Sequence, residues 1–203
     1  MQESISNITR ICNRVAMAAV VTVGSSCTTT TTPRGPSSRD SRVVEFYSNH
    51  LKERATVSGS NDPDLDMICR DRRDGTEKDI DPKLYNKLVK IQGKLEGQGY
   101  SDLTFNIVSC YRSPQTNAFL RVTRGGQAEN SQHIEGKAID IQITGTYGGQ
   151  RITVPINDVW EAACEVREED GYGGLGFYAG NKFVHVDTRA NESTWGNVCP
   201  EAA

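Results

Sequence analysis

The chain has no basic excess: 23 Lys and Arg stand against 26 Asp and Glu, for a formal charge of −3 and a pI near 5.7. It therefore lacks the long-range attraction that holds a phosphate backbone, and nucleic acid is not an expected partner. None of its six cysteines stands in CxxC spacing, which argues against a cysteine zinc site. The apolar run Val15 to Val23 is too short to span a bilayer as a helix. No internal repeat is present, and there are only three histidines. What remains is 203 residues, enough for one domain with its own core, so that a metal here would serve function rather than folding.

The short apolar run follows Arg10 and Arg14 and precedes small residues, the pattern of an export signal. Gly24-Ser25-Ser26-Cys27 resembles a bacterial lipobox, in which Cys27 would become the lipidated first residue, although Gly24 stands where leucine is usual. An ordinary signal cut near Ser26, or a buried apolar segment, is the alternative. From Thr28 to about Ser41 the chain is mostly Thr, Pro, Ser and Arg with almost nothing apolar, a composition that cannot repay its ordering entropy and reads as a tether. The expected organisation is a signal over 1–27, a linker over 28–41 and a folded domain over 42–203. Export would leave Cys69, Cys110, Cys164 and Cys199 to form two disulfides in any of three pairings, or to stay as buried thiols.

Within the domain, Val43 to Tyr47 reads as a first strand and Ser58 to Asp64 as a loop. Asp81 and Pro82 open a helix whose Leu84, Leu88, Ile91 and Leu95 form one apolar stripe, stopped by Gly97 and Gly99. Leu103 to Ile107 alternates as a strand, and Ser113-Pro114 opens a helix through Val122, which puts Arg112 at a strand-to-helix junction. The period of two in Ala138 to Ile143 sets Ile139, Ile141 and Ile143 on one face and Ala138, Asp140 and Gln142 on the other. A helix over about Asn157 to Glu168, a glycine-rich turn over Gly171 to Gly176, and a strand Phe183 to Asp187 complete the pattern. Arg70, Arg72 and Arg73, interleaved with Asp71 and Asp74, read as a solvated loop of nearly cancelling charge. His50 reads as a surface residue beside the first strand.

Asp140 is the anomaly, a carboxylate inside an otherwise apolar strand. If the strands of Asp140 and His185 share an antiparallel sheet, with His133 at the mouth of the first, two imidazoles and a carboxylate converge. That donor set suits zinc with a fourth position open to water. Each residue taken singly has a plain structural reading, such as Asp140 pairing with Lys137.

Ser131-Gln-His133-Ile-Glu-Gly136-Lys-Ala138-Ile-Asp140 resembles the SxHxxGxAxD motif of the zinc peptidases grouped around D-alanyl-D-alanine metallopeptidases, VanX-type dipeptidases, phage endolysins and the hedgehog N-terminal domain. Gly174 to Tyr178 and Phe183 to Arg189 resemble their second ligand strand, and Trp195 a tryptophan that often follows it. Leu65 to Leu95 and Ser109 to Asn117 are similar to exported bacterial murein endopeptidases, so the likeness runs from about Val43 to Trp195.

The resemblance implies that His133, Asp140 and His185 bind Zn2+. It also implies that Ser131 hydrogen-bonds near the site, that Gly136 lets the turn return His133 over its strand, and that Arg112 stabilises a developing oxyanion. VanX-type members carry an acidic base three residues before the second histidine, where this chain has Lys182. Asp187, on the strand face of His185, is the candidate catalytic base, or else a partner that orients a ligand histidine; Glu135 is a further candidate. The expectation is an α+β domain, a small, mainly antiparallel sheet with helices on one face and a zinc cleft on the other. Its function would be a zinc metallopeptidase hydrolysing peptidoglycan in the cell envelope, lipid-anchored if Cys27 is modified. The alternatives are a non-catalytic zinc module binding the wall, and a D,D-carboxypeptidase or dipeptidase.

Overall fold

A computed structural model describes residues 42–125 and 128–200. The expected signal, Cys27 and the linker lie outside the described residues. The described chain runs β1 (Val44–Ser48), β2 (Arg54–Val57), α1 (Pro63–Cys69), α2 (Pro82–Gly97), β3 (Ser101–Ser109) and α3 (Pro114–Arg124). It continues through β4 (Ala138–Tyr147), β5 (Gln150–Thr153), α4 (Ile156–Asp170), β6 (Gly174–Tyr178), a 3-10 turn (Ala179–Asn181), β7 (Phe183–Asp187) and β8 (Ser193–Trp195).

The fold is α+β, and its strands form one sheet in the order β2-β1-β3-β4-β7-β6-β8, with β5 on the far end of β4. The sheet is mixed: β1 with β3 and β6 with β8 are parallel, and the other pairings are antiparallel. With eight strands it is larger than the five-residue-scale strand signals suggest, because β2, β5 and β8 are too short to show a period.

Helix starts follow local chemistry. Asp62, Asp81 and Ser113 each accept a hydrogen bond from a backbone N–H of the first turn, and each is followed by a proline whose missing N–H costs nothing there. The first of these caps corrects the expectation of a loop through Asp64: Pro63 opens α1, which buries Leu65, Ile68 and Cys69. The glycine-rich turn expected to reach Gly176 is likewise shorter, since Gly174 already pairs in β6.

The α2 stripe and α4 pack together, α4 also covering β4, β6 and β7. Ile139, Ile141 and Ile143 join that core with Phe46, Phe105, Leu88 and Trp160, all almost fully buried. Truncating one such side chain to alanine costs about 2–5 kcal/mol. Two disulfides select one of the three pairings: Cys69–Cys110 ties the end of α1 to the end of β3, and Cys164–Cys199 ties α4 to the C-terminal segment. The polar side of β4 is thereby left for a site.

Candidate metal centre

Register brings the site together. Asp140 on β4 lies opposite His185 on β7, His185 opposite Gly176 on β6, and Gly176 opposite Trp195 on β8. Opposed residues in a ladder share a face, so these positions form one row across the sheet. Gly176 makes the row possible. A Cβ there would lie 2.4 Å from the Trp195 indole nitrogen, and its absence lets that ring lie 5.1 Å from the His185 ring.

His133 comes from the turn before β4. Ile134 and Glu135 donate back to Ser131 and Gln132, and Lys137 donates to Gln132, curling the chain over the strand. Gly136 holds φ at 68°, and a Cβ there would lie 2.6 Å from the Asp79 carbonyl oxygen. Its own carbonyl accepts from Asp81, which ties the turn to the start of α2. Ser131 Oγ accepts from the His133 backbone N–H at 3.4 Å, a long hydrogen bond.

Ligating atoms of His133, Asp140 and His185 all lie within 4.8 Å of one another, and all three residues are buried. Tautomers follow from the outer partners. His133 Nδ1 sits 2.6 Å from the Cys110 carbonyl oxygen, which can only accept, so Nδ1 carries the proton and Nε2 is left towards Asp140 at 3.4 Å. His185 has Nδ1 at 2.8 Å from Asp140 Oδ1 and Nε2 at 3.1 Å from Asp187 Oδ2. Two imidazole nitrogens and a carboxylate oxygen facing one point are a donor set that could hold a metal ion, and the carbonyl and carboxylate behind the rings are the usual orienting partners of metal-binding histidines.

The electrostatics agree. Burial alone would raise the Asp140 carboxyl, but His133 and His185 outweigh it and hold that group well below the usual carboxylate range. Burial depresses His133 despite Asp140, favouring the neutral imidazole that a cation requires. For His185, burial works the same way but is overcome by hydrogen bonds to Asp140 and Asp187, which raise it. The two rings differ because only His185 lies between two carboxylates.

Asp187 is wholly buried, and both its oxygens are engaged. Oδ1 accepts from the backbone N–H groups of Gly174 and Arg189, and Oδ2 accepts from His185 and from Arg189 Nη2 at 2.5 Å. These interactions hold its carboxyl low against the effect of burial. Arg112 donates its backbone N–H to the His133 carbonyl and its Nη1 to Asn117, while its Nε is buried without a hydrogen-bond partner. Its side chain lines the same cleft as Asp140. Glu135 is exposed, and Lys182 is exposed with φ at 55° after the 3-10 turn; neither joins the triad.

Sequence reasoning missed two contributors, the Cys110 carbonyl and the Arg189 clamp on Asp187. A backbone acceptor carries no residue signature, and Arg189 was noticed only as the end of a similar segment. His50 and Arg72 are exposed, as the sequence suggests, and both also line the cleft that reaches Asp140.

A family profile described as peptidoglycan L,D-endopeptidase MepK matches residues 36–195. A Haemophilus influenzae protein named "Probable peptidoglycan L,D-endopeptidase MepK" is 37% identical over 134 residues, covering 66% of this chain and 63% of that protein. The Escherichia coli K12 protein named peptidoglycan L,D-endopeptidase MepK is 34% identical over 124 residues, covering 61% of this chain and 59% of its own length. The chain thus spans less than two thirds of these relatives. No solved structure gives a significant match.

Proposed function

The chain belongs to the family described as peptidoglycan L,D-endopeptidase MepK, and from that premise we propose that it is a zinc-dependent peptidase that hydrolyses amide bonds in peptidoglycan stem peptides or their cross-links. The observation that carries the reading is the buried His133, Asp140 and His185 triad, whose Asp140 lines a cleft together with Arg112. Zinc held by these three residues would supply Lewis-acid polarisation and a water of lowered pKa.

The chain's own groups have separable tasks. The Cys110 carbonyl and the Asp187 carboxylate fix the rings of His133 and His185 so that Nε2 and Nδ1 respectively face the triad. Arg112, with donors in a fixed fork and an unpartnered Nε, offers hydrogen bonds to a carbonyl oxygen as it gains charge. Asp187 acts by positioning rather than by taking a proton, since burial and four hydrogen-bonding groups keep it from the cleft. The relatives' names specify an L,D bond, and this chain would cleave a bond of the same kind. Action on peptidoglycan calls for work in the cell envelope, which export by residues 1–27 would allow, with anchoring to a membrane if Cys27 is lipidated.

One observation favours a second reading, a non-catalytic zinc module that binds the wall: Lys182 stands where related enzymes place an acidic base, and Asp187 is fully engaged. Digestion of cross-linked peptidoglycan by the full chain, read by mass spectrometry with and without a zinc chelator, separates the two. Fragments that vanish with chelator and return with zinc support the peptidase and identify the bond. A zinc-loaded protein that binds peptidoglycan yet releases nothing leaves the binding module.

A further inference from the structure

Beyond the triad, the cleft extends along the end of β3 to α3 and the segment after α1, with a volume of about 400 Å³. Four arginines line it, namely Arg70, Arg72, Arg112 and Arg124, against two acidic residues, Asp71 and Asp140. In a chain of net charge −3, this is a local reversal of sign.

The acidic residues do not neutralise it. Asp140 belongs to the triad, and Asp71, 1% exposed, accepts the backbone N–H groups of Arg73 at 2.8 Å and Ser113 at 2.7 Å. Asp74, the other acid of that segment, accepts from Thr76 and Ser113. Of the arginines, Arg70 alone is matched, by a two-bond pair with Glu53. Among the described residues, Arg72, Arg112 and Arg124 form no ion pair with a carboxylate.

Arg72 is also held in place, its Nη1 donating to His50 Nδ1 at 2.8 Å. That bond requires a neutral imidazole, and burial together with the Arg72 charge depresses His50 accordingly. Burial and the like charges of Arg73 and Arg124 also lower Arg72. Mutually repelling guanidinium groups, one oriented by a histidine, with a third whose buried Nε lacks a partner, make an unfavourable arrangement that an anion would relieve.

We propose that Arg72 and Arg124 form a subsite for a free carboxylate of the peptide substrate, so that the cleft selects chains bearing that charge near the bond presented to the triad. This rests on the peptidase reading for the identity of the substrate, and on the cleft alone for its charge. Arg112 lines the same cleft and is tied to the His133 turn through its backbone N–H, and it serves the triad.

The test is calorimetric titration of the zinc-loaded full chain with a soluble disaccharide tetrapeptide from peptidoglycan, as isolated and with its carboxylates converted to carboxamides. The wild type, Arg72→Gln, Arg124→Gln and the double variant are compared. Arg72 and Arg124 are exposed, so each guanidinium–carboxylate pair is screened by water and corresponds to up to about fivefold in affinity. The wild type is therefore expected to bind the native peptide about fivefold tighter than the carboxamide, or more where both arginines engage it, and the double variant to bind both equally. A double variant that keeps the wild-type preference, equal binding of both peptides by the wild type, or no binding of the native peptide overturns the subsite. Peptidoglycan digestion is scored on the same preparations. Digestion without carboxylate preference removes the subsite and leaves the peptidase; preference without digestion does the reverse.

Discussion

Replacing Asp187 tests how the site is built. Its Oδ2 accepts the Nε2–H of His185, and the opposite nitrogen of that ring faces Asp140 across the triad. Asp187→Asn keeps the volume and one acceptor oxygen but removes the charge that polarises the imidazole and neutralises Arg189, whose Nη2 lies 2.5 Å away. Loss of such an outer partner weakens metal binding by about 10–100-fold, or about 1.4–2.7 kcal/mol. The expected result is a zinc dissociation constant raised by that factor, measured by competition with a chromogenic chelator, and peptidase activity largely restored at saturating zinc. A general base would behave otherwise, with unchanged zinc affinity and turnover lowered about 10²–10⁴-fold at any zinc concentration. Unchanged zinc affinity in Asp187→Asn would refute the positioning role. Because Asp187 also receives the N–H of Gly174, thermal unfolding is measured alongside, and Arg189→Gln, which leaves the carboxylate in place, is expected to give a smaller shift of the same sign.

His133→Ala and Asp140→Ala each remove a ligand and should abolish stoichiometric zinc in the purified protein; full zinc content in both variants, by elemental analysis, would remove this ligand set. The two disulfides close loops of similar length, with sequence separations of 41 and 35, so each should contribute about 4 kcal/mol on the chain-entropy account. Only Cys69–Cys110 adjoins the carbonyl that orients His133, so Cys69→Ser with Cys110→Ser should weaken zinc binding while Cys164→Ser with Cys199→Ser should not, as zinc titration of both double variants would reveal. Asp170, paired with buried Lys87 at 2.7 Å and also with Lys90, is held below its ordinary range because these lysines outweigh burial. Its stabilisation is therefore present above the ordinary carboxylate pKa of about 4 and lost as pH falls below it. Denaturant unfolding of Asp170→Asn should show a flatter pH dependence in that acid window, and an unaltered slope would count against the pair.

Much of this architecture is legible locally. The α2 stripe, the alternation of β4 and the helix starts at Asp81 and Ser113 depend on neighbours within a turn or two, and they appear where periodicity and capping chemistry put them, whereas the cap at Asp62 lies in a segment whose composition reads as loop. The triad was legible for a different reason: its motif resembles that of a known family of zinc peptidases, whereas His133, Asp140 and His185 taken singly each have a plain structural reading. Asp187 opposite Ala138 and Trp195 opposite Gly176 are not legible in that way, because cross-strand register is decided by pairings remote in sequence.

The charge pattern after α1 illustrates the same boundary at the level of energy. Alternating Arg and Asp look self-neutralising when counted along the chain, yet neutralisation depends on where each carboxylate finds its hydrogen bonds. Asp71 and Asp74 are drawn to the N–H and O–H of buried Ser113, which would otherwise be left unsatisfied at a cost comparable to that of losing a hydrogen bond, and to N–H donors of the exposed turn. Arg70 finds Glu53 on the loop entering β2, and Arg73 lies over the Phe119 ring at 4.8 Å. Arg72 is left to His50 and the cleft. The sign of the potential beside Asp140 therefore follows from how backbone groups at the start of α3 are satisfied, which links the capping of that helix to the class of substrate the cleft would admit.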